Sequence, residues 1–328
     1  RNAFGAETKA TQEQLKSQAM AMSLAEQYKQ KLILANAEAI YWGLVQIRET
    51  IYVQKDSLNR AKKIREWAAR RDQLQLGDRS DYLQAEAAVK LRELELLATL
   101  DEEKSVGRQF NSLRGIASTT VEESLNQLPT EESSIGSPIL TKTSIRDDVK
   151  AALAQKNSGQ AGIDSAAEKI QPVFEAFTNI SMNGRDKEFS ASSSQSFSTD
   201  HPTYTFGIRF NAPLDISILN QVHAGYAQER TAAELSYQRK LFEEQREWDD
   251  LKNKYLEATK RLSYAISIEK SQNEKLLYEK TRHARGRTTT YQVLLFEQDY
   301  ANAQLNRIRY QSDILKLAAQ IKTFGEKI

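Results

Sequence analysis

The amino-acid sequence predicts a mainly α-helical chain of long antiparallel coiled-coil helical hairpins, into which one β-hairpin is inserted. Three observations lead to this fold class. Apolar residues recur every three or four positions over long stretches, the period changes to two in a pair of short segments, and all five prolines stand outside the helical stretches. The prolines are Pro129, Pro138, Pro172, Pro202 and Pro213.

The composition excludes several classes of protein. Lys plus Arg number 46 against 44 Asp plus Glu, and the two signs alternate along the chain, so nucleic acid is not the expected partner. Without cysteine there is no disulfide framework, thiolate metal site or cysteine nucleophile. No apolar run reaches the roughly 18 to 20 residues of a membrane-spanning helix, so any membrane crossing is expected to use strands.

The first helix is predicted over about residues 10–76, where apolar side chains are spaced by threes and fours. The stripe comprises Ala37, Ile40, Leu44, Ile47, Ile51, Leu58 and Ala61. After a turn at residues 77–80, a second helix runs to about residue 114 and is expected to end at Gly115 in a left-handed cap. These two helices form the first hairpin.

Residues 116–145 are rich in Ser, Thr and Glu and are predicted to form a loop with at most short helices. Ser144 stands three residues before Asp147 and could cap a helix over about residues 145–170.

Two ten-residue strands follow. In the first, Phe174, Ala176, Thr178, Ile180 and Met182 alternate with Val173, Glu175, Phe177, Asn179 and Ser181. In the second, Tyr204, Phe206, Ile208, Phe210 and Ala212 alternate with Thr203, Thr205, Gly207, Arg209 and Asn211. The Ser-rich residues between them, 183–202, are expected to be a mobile, solvated loop at the hairpin tip.

The helical period returns after Pro213 and continues to Gly286. Its stripe comprises Leu241, Trp248, Leu251, Tyr255, Ala258, Leu262, Ala265 and Leu276. The last helix, about residues 290–324, carries two apolar seams and therefore needs neighbours on two sides. One seam comprises Phe296, Tyr300, Ala303, Tyr310, Ile314, Leu317, Ile321 and Phe324, and the other Leu294, Ala301, Leu305, Ile308, Leu315 and Ala319.

The helix, glycine turn and helix occur twice, since Gly77 and Gly115 are spaced much like Gly286 and Gly325. This spacing favours a duplicated helical hairpin. Only the second copy is preceded by a strand pair, so another pair is expected upstream of Arg1, and residues 1–5 read as the start of a processed or truncated product. Because one pair of strands cannot close a barrel, three copies with two pairs each would supply about twelve strands.

The order of these motifs resembles the TolC family of outer-membrane efflux proteins over nearly the whole chain. The resemblance is carried by the two turns with their following helices, residues 76–87 (LGDRSDYLQAEA) and 286–294 (GRTTTYQVL). Residues 146–152 (RDDVKAA) look like the family's opening of the helix before the second hairpin. Pro172 and Pro213 also stand where family members bend between helix and strand.

The resemblance implies a homotrimer with a transmembrane β-barrel in the bacterial outer membrane and an α-barrel that extends into the periplasm. The duct would be a passive conduit of a tripartite efflux or type I secretion system, would open at its periplasmic tip, and would meet an adaptor and an inner-membrane pump. No enzyme activity and no cofactor are implied. The expected segments are 1–115 (first hairpin), 116–170 (equatorial loop and helix), 171–214 (outer-membrane β-hairpin) and 215–328 (second hairpin).

The candidate site residues fall into three groups. Those of the periplasmic tip, as gate or adaptor contact, are Gly77, Asp78, Arg79, Asp81, Arg285, Gly286, Arg287 and Gln292. Lipid-facing are Tyr204, Phe206, Ile208 and Phe210, and lumen-facing are Glu175 and Arg209. Family members commonly place carboxylates after the second turn, where this chain has Gln292 and Leu295, so Asp78 and Asp81 are the available substitutes.

Simpler interpretations remain beside these. The apolar strand face could pack on a soluble helix layer, Glu175 and Arg209 could be solvated wall residues, and the turn residues could be the polar end of a hairpin. His201, His223 and His283 have no second ligand at metal spacing and are expected at the surface. The alternative functions are a soluble coiled-coil scaffold, which leaves the β-hairpin unexplained, and a periplasmic adaptor, which would carry one helical hairpin.

Overall fold

The structure is a computed structural model that describes residues 5–129, 142, 144–198, 202–212 and 216–325. In chain order the elements are α1 (Ala6–Gln73), α2 (Arg79–Leu113), α3 (Asp147–Ile170), β1 (Val173–Met182), α4 (Phe189–Ser196), β2 (Pro202–Asn211), α5 (Ile216–Ala284) and α6 (Thr290–Ile321), with a short 3-10 helix (Lys322–Phe324). The predicted mixture of long helices and one strand pair is confirmed. None of the helices in the described ranges has the length and apolar character that crossing a membrane requires.

The chain divides into two compact units. The helical unit comprises Glu26–Arg146 and Glu243–Ile328, and the strand unit comprises Arg1–Ala25 and Asp147–Phe242. The predicted division into four segments is a different partition and stays a prediction.

Most predicted element boundaries lie within a few residues of the observed ones. Helix α3 begins at Asp147, whereas the sequence predicted a start at about residue 145. At this start the amide of Arg146 donates to the buried Glu244 carboxylate at 2.7 Å. Gly115 does adopt the expected left-handed conformation, with φ 72°. Pro138, Pro213 and His201 lie outside the described residues.

Two antiparallel helical hairpins build the helical unit. Ion pairs between α1 and α2 join Arg48 to Glu103 at 2.9 Å and Arg65 to Glu86 at 3.5 Å. As the residue number rises on one helix it falls on the other, which is the mark of an antiparallel pair. The same holds for α5 and α6, where Lys275 pairs with Asp299 at 3.7 Å and a shorter pair joins Arg307 to Glu269.

The two seams of α6 pack on different neighbours, as the sequence predicted. One seam contacts α5 in a buried cluster of Trp248, Tyr255, Ala258, Leu262, Ile314, Ile321 and Phe324. The other contacts α1 and α2, through Ile308 beside Val45 and Val53 and through Leu294 beside Ala68 and Ala85. Since α6 is covered on both sides, it holds the two hairpins of this unit together.

In the strand unit, α3 buries a stripe of small side chains. The stripe comprises Ala151, Ala154, Ser158, Ala161 and Ser165. Small residues at this spacing let neighbouring helices approach closely, and Ser165 and Thr11 on α1 share a hydrogen bond of 2.9 Å. The Ser158 hydroxyl also donates to the Gln14 carbonyl at 3.2 Å.

The two strands form an antiparallel pair in which Val173 lies opposite Asn211 and Met182 opposite Pro202. Between them, in residues 183–202, which were expected to form a mobile, solvated loop, the structure has the eight-residue helix α4, none of whose residues is buried. The sequence analysis did not predict this helix. The composition does not indicate this helix, because serine favours loops in general. In the structure, the Ser192 and Ser196 hydroxyls form hydrogen bonds of 3.0 Å with the backbone of Gly184.

Candidate functional site

The turn between α5 and α6 is a helix cap centred on Gly286. This residue has φ 66°, a left-handed conformation in which glycine has no steric cost. Its amide donates to the His283 carbonyl, and the amide of Arg287 donates to the Arg282 carbonyl, each at 2.9 Å. These two bonds define a Schellman cap, which satisfies the last carbonyls of α5. Thr289 then starts α6 by accepting a hydrogen bond from the amide of Gln292 at 3.3 Å.

The turn between α1 and α2 repeats this pattern around Gln75. Gln75 has φ 55°, its amide donates to the Asp72 carbonyl at 3.0 Å, and the amide of Leu76 donates to the Arg71 carbonyl at 2.9 Å. Asp78 caps α2 by accepting from the Ser80 amide at 2.9 Å. The two turns therefore have the same length from the left-handed residue to the N-cap.

This geometry corrects the sequence alignment of the repeat, which matched Gly77 with Gly286. The counterpart of Gly286 is Gln75, and the N-caps Asp78 and Thr289 correspond. Gly77 has a different reason to be glycine, since a Cβ there would lie 2.9 Å from the Cβ of Arg71. Glycine was a misleading marker because the left-handed position in the first turn is filled by glutamine.

An arginine four residues before each left-handed residue supports its turn. The Arg71 guanidinium donates to the Leu76 carbonyl at 2.7 Å, and that of Arg282 donates to the Arg287 carbonyl at 3.2 Å. Sequence reasoning did not single out these two arginines. Their equal spacing from Gln75 and Gly286 is a signal that becomes visible only once the turns are aligned correctly.

The helices that flank the two turns meet through His283. Its ring centroid lies 4.1 Å from that of Trp67, and its Nε2 atom lies 3.4 Å from the Thr290 hydroxyl. Burial lowers the pKa of His283, an effect that the neighbouring Asp81 carboxylate opposes and the Arg71 guanidinium reinforces. His283, expected at the surface, is half-buried, with the aromatic ring of Trp67 against one side of it. His223, in contrast, is exposed.

The predicted tip residues gather at this end of the helical unit. Arg79 pairs with Asp72 at 2.8 Å and its guanidinium carbon lies 5.2 Å from the centroid of the Tyr82 ring. Arg285, Arg287 and Gln292 are exposed. The substitute carboxylates are both engaged, Asp78 in capping α2 and Asp81 electrostatically with His283.

Helix α6 also carries a buried carboxylate that sequence reasoning did not single out. Glu297 is 1% exposed and lies 2.6 Å from the Arg60 guanidinium of α1 and 2.5 Å from the Lys280 ammonium of α5. One carboxylate thus joins three helices of the two hairpins. The sequence does contain an indication of this burial, because Glu297 stands on the heptad seam between Leu294 and Ala301, where an apolar residue is expected.

The β-hairpin presents its apolar face outward. Phe206 is 77% exposed and Ile208 81%, and the register places them opposite Thr178 and Ala176. Tyr204 and Phe210, the other two predicted lipid-facing residues, are exposed as well. In the described strands this face has no covering layer from the chain, so the simpler interpretation of packing on a soluble helix layer is not what the structure shows.

On the opposite face, Glu175 and Arg209 lie directly across from each other and form an ion pair of 3.8 Å. The Arg209 guanidinium also lies 5.5 Å from the centroid of the Phe177 ring, and that ring covers Gly207, where a Cβ would approach it to 2.4 Å. The two faces of the hairpin therefore differ in chemistry, one apolar and one carrying charge.

No protein-family model and no curated protein matches the chain. Solved structures do match. The outer-membrane channel OprN has a TM-score of 0.84 and 16% identity, over 98% of this chain and 72% of that one. The outer-membrane protein VceC from Vibrio cholerae has a TM-score of 0.83 and 17% identity, over 100% of this chain and 77% of that one. The Neisseria gonorrhoeae outer-membrane channel MtrE, in its open state, has a TM-score of 0.80 and 14% identity, over 98% of this chain and 72% of that one.

The chain has the fold of TolC-like outer-membrane channels. The resemblance drawn from the order of the turn motifs is thus confirmed for the fold, including its combination of helical hairpins with a strand pair. The roles expected of the individual tip, lipid-facing and lumen-facing residues stay predictions. Within the TolC-like fold, the two capped turns and the two-faced β-hairpin are the features from which a function can be argued.

Proposed function

We propose that this chain is one subunit of a homotrimeric exit duct in the bacterial outer membrane, and that the duct conducts substrates without catalysing a reaction. The supporting observation is the exposed apolar face of the β-hairpin, centred on Phe206 and Ile208, in a chain with the TolC-like fold. Burying such a face in hydrocarbon is favourable by roughly 25 cal/mol per Å² of apolar area.

The strand edges support assembly from several copies. The described sheet has two strands, so each strand has one edge without a hydrogen-bonded neighbour among the described residues. Unpaired backbone groups are prohibitive in hydrocarbon, so the edges need strands from other subunits. In the closed barrel Tyr204, Phe206, Ile208 and Phe210 would face lipid, while Glu175 and Arg209 would face the water-filled lumen.

The two turns would form the periplasmic tip, which opens the duct and contacts an adaptor and an inner-membrane pump. Support comes from their shared cap geometry and from the contact of Trp67 with His283, which couples the two hairpins at this end. Among residues 70–81 and 282–292 there are six arginines and three aspartates, so this end carries net positive charge in place of an anionic ring.

A matched pair of lysine substitutions tests the membrane assignment. Ile208→Lys places a charge on the apolar face and should cost about 2 to 4 kcal/mol near the bilayer midplane, so the protein should be lost from the outer-membrane fraction. Thr205→Lys, on the opposite face of the same strand, should be retained as detergent-dependent trimers. Equal behaviour of the two variants, or a monodisperse protein in water without detergent, would contradict the proposal.

The gate assignment has its own test at Gly286. Proline cannot adopt φ 66° and removes the amide that bonds to His283, so Gly286→Pro should abolish export while trimers remain. Gly286→Asn is the control, since asparagine tolerates the left-handed conformation, and it should keep export. Loss of trimers in Gly286→Pro would refute the assignment of this turn to a gate.

A further inference from the structure

Two phenylalanines at the ends of α4 are almost fully exposed. Phe189 is 90% exposed and Phe197 is 86%, the highest values among the large apolar side chains of the described residues. Helix α4 itself consists of Ser, Ala and Gln apart from Phe189 and buries no residue. Exposing two phenyl rings to water is unfavourable, and the described residues leave both rings uncovered.

Hydrogen bonds hold α4 against the end of β1. The Gly184 amide donates to the Ser196 hydroxyl, and the Ser192 hydroxyl donates to the Gly184 carbonyl, both at 3.0 Å. A Cβ at Gly184 would lie 2.0 Å from the Ser192 carbonyl oxygen, so the approach is as close as glycine allows. Gly184 follows Met182, the last residue of β1, by two positions, which places these contacts within about 7 Å of the strand end.

The strand length then sets the depth of α4. A strand of ten residues, tilted by about 40°, spans roughly 25 Å, which is the height of the apolar band of outer-membrane barrels. The end of β1 would therefore reach the edge of the hydrocarbon. The layer of lipid headgroups beyond that edge is about 5 to 7 Å thick, which matches the distance over which α4 is held.

We propose that α4 lies on the bilayer surface and that Phe189 and Phe197 insert among the lipids at the headgroup boundary. The proposal rests on the proposed function, because it takes the strand pair to cross the membrane. The attraction is apolar, since the preceding charges Arg185 and Lys187 are balanced by Asp186 and Glu188. Aromatic residues at this depth anchor barrels and interfacial helices.

A second copy of the chain fits these residues less well than lipid does. Two phenylalanines offer on the order of 150 to 250 Å² each, whereas a stable protein interface buries about 800 Å² per partner. The rest of α4 is polar and small, so it adds little apolar area. Lipid needs no complementary surface and accepts isolated aromatic side chains.

The 328 residues of this chain contain no cysteine, so each cysteine introduced into it is the single labelling site of the chain. Spin labels at Phe189→Cys and Phe197→Cys, in protein reconstituted in vesicles of phosphatidylethanolamine and phosphatidylglycerol, report accessibility to oxygen, which partitions into lipid, and to a water-soluble nickel chelate. Ser194→Cys, an exposed position on the same helix, is the matched control. Ile208→Cys reports the strand face.

The ratio of oxygen to nickel accessibility at Phe189→Cys and Phe197→Cys should be several-fold higher than at Ser194→Cys and should approach that at Ile208→Cys. Ratios equal to that of Ser194→Cys would overturn the lipid contact, and exclusion of both reagents would overturn it in favour of a protein contact. If Ile208→Cys itself behaves as water-exposed, the proposed function fails and this inference fails with it. A lipid signal at Ile208→Cys alone rejects only the inference.

Discussion

The helical unit buries apolar residues of its heptad stripes, whereas the β-hairpin of the strand unit exposes the apolar residues of one face. In the helical unit, side chains at heptad positions such as Leu44 and Leu262 are 0% exposed. In the β-hairpin, residues at the alternating positions of one face, such as Ile208, are 81% exposed. Both patterns follow the periodicity of their secondary structure, yet only one of them builds a core within the chain.

The charged residues show the same contrast. Glu297 is buried between Arg60 and Lys280, whereas the Glu175–Arg209 pair on the β-hairpin is partly solvated. The helical unit therefore builds a core within one chain, although apolar side chains such as Leu94, Leu97 and Tyr264 remain exposed. The β-hairpin instead leaves its apolar face exposed, which is the physical reason for proposing that this face lies in a membrane.

The largest expected effect comes from removing the buried carboxylate. Glu297→Gln leaves Arg60 and Lys280 without their shared partner, and breaking a buried ion pair costs about 3 to 5 kcal/mol. Glu175→Gln, on the β-hairpin, should cost about 1 kcal/mol or less, because water solvates the remaining Arg209. Guanidinium unfolding followed by the helical signal measures both, and similar losses in the two variants would break the comparison.

Apolar truncation gives the next largest difference. Leu262→Ala in the helical unit should lower the free energy of unfolding by about 2 to 5 kcal/mol, because a cavity remains beside Ile314 and Trp248. Ile208→Ala should change the unfolding of the helical unit, followed by its helical signal, by less than about 0.5 kcal/mol, since this side chain is 81% exposed and lies on the β-hairpin of the other unit. A large loss for Ile208→Ala in the helical unfolding signal would mean that the β-hairpin face packs on the helices.

Local backbone terms in the helical unit should be smaller than either burial effect. Gly286→Gln forces a side chain into the left-handed conformation and should cost about 1 kcal/mol. Gln75→Gly relieves the same strain in the first turn and should gain about 0.5 kcal/mol after the entropy of the unfolded glycine is subtracted. Melting temperatures that shift in the same direction for both exchanges would contradict the equivalence of the two turns.

The smallest effect expected is a pH dependence at His283. Because burial holds its pKa below the ordinary value of 6.5, the unfolded state binds the proton more readily than the folded state does. Stability at the turn is therefore complete above pH 6.5 and falls as pH drops through the lowered pKa. Wild type should melt lower at about pH 5 than at about pH 7.5, relative to a His283→Phe variant that cannot titrate. No relative change would show that His283 titrates equally in both states.

Much of the fold follows from periodicity. The stripe through Leu44, Ile47 and Ile51 is buried, the two seams of α6 meet different neighbours, and both strands lie where the period of two predicts them. These patterns are visible in sequence because each requires only neighbours on the same helix or strand. Helix α4 was not predicted because its contacts with Gly184 involve a hydrogen bond donated by the Ser192 hydroxyl and one accepted by the Ser196 hydroxyl, which no local sequence pattern indicates.

The sequence indicates where the two turns lie along the chain, but not which side chains contact one another there. Two polar turns between long helices locate one end of the helical unit, and the residues Gly77 to Asp81 do lie at that end. The partnership of Trp67 with His283 and the burial of Glu297 join residues more than 200 positions apart. No spacing rule within a single helix contains that information.

The sequence by itself determined the helices, the strand pair and the face that each turns outward, because side-chain direction repeats with the local backbone geometry. Only the tertiary structure decided which left-handed residue is the counterpart of Gly286, that the Glu297 carboxylate is buried and that the Trp67 ring lies against His283. Those outcomes depend on distances between separate elements, and such distances exist only once the helices have packed.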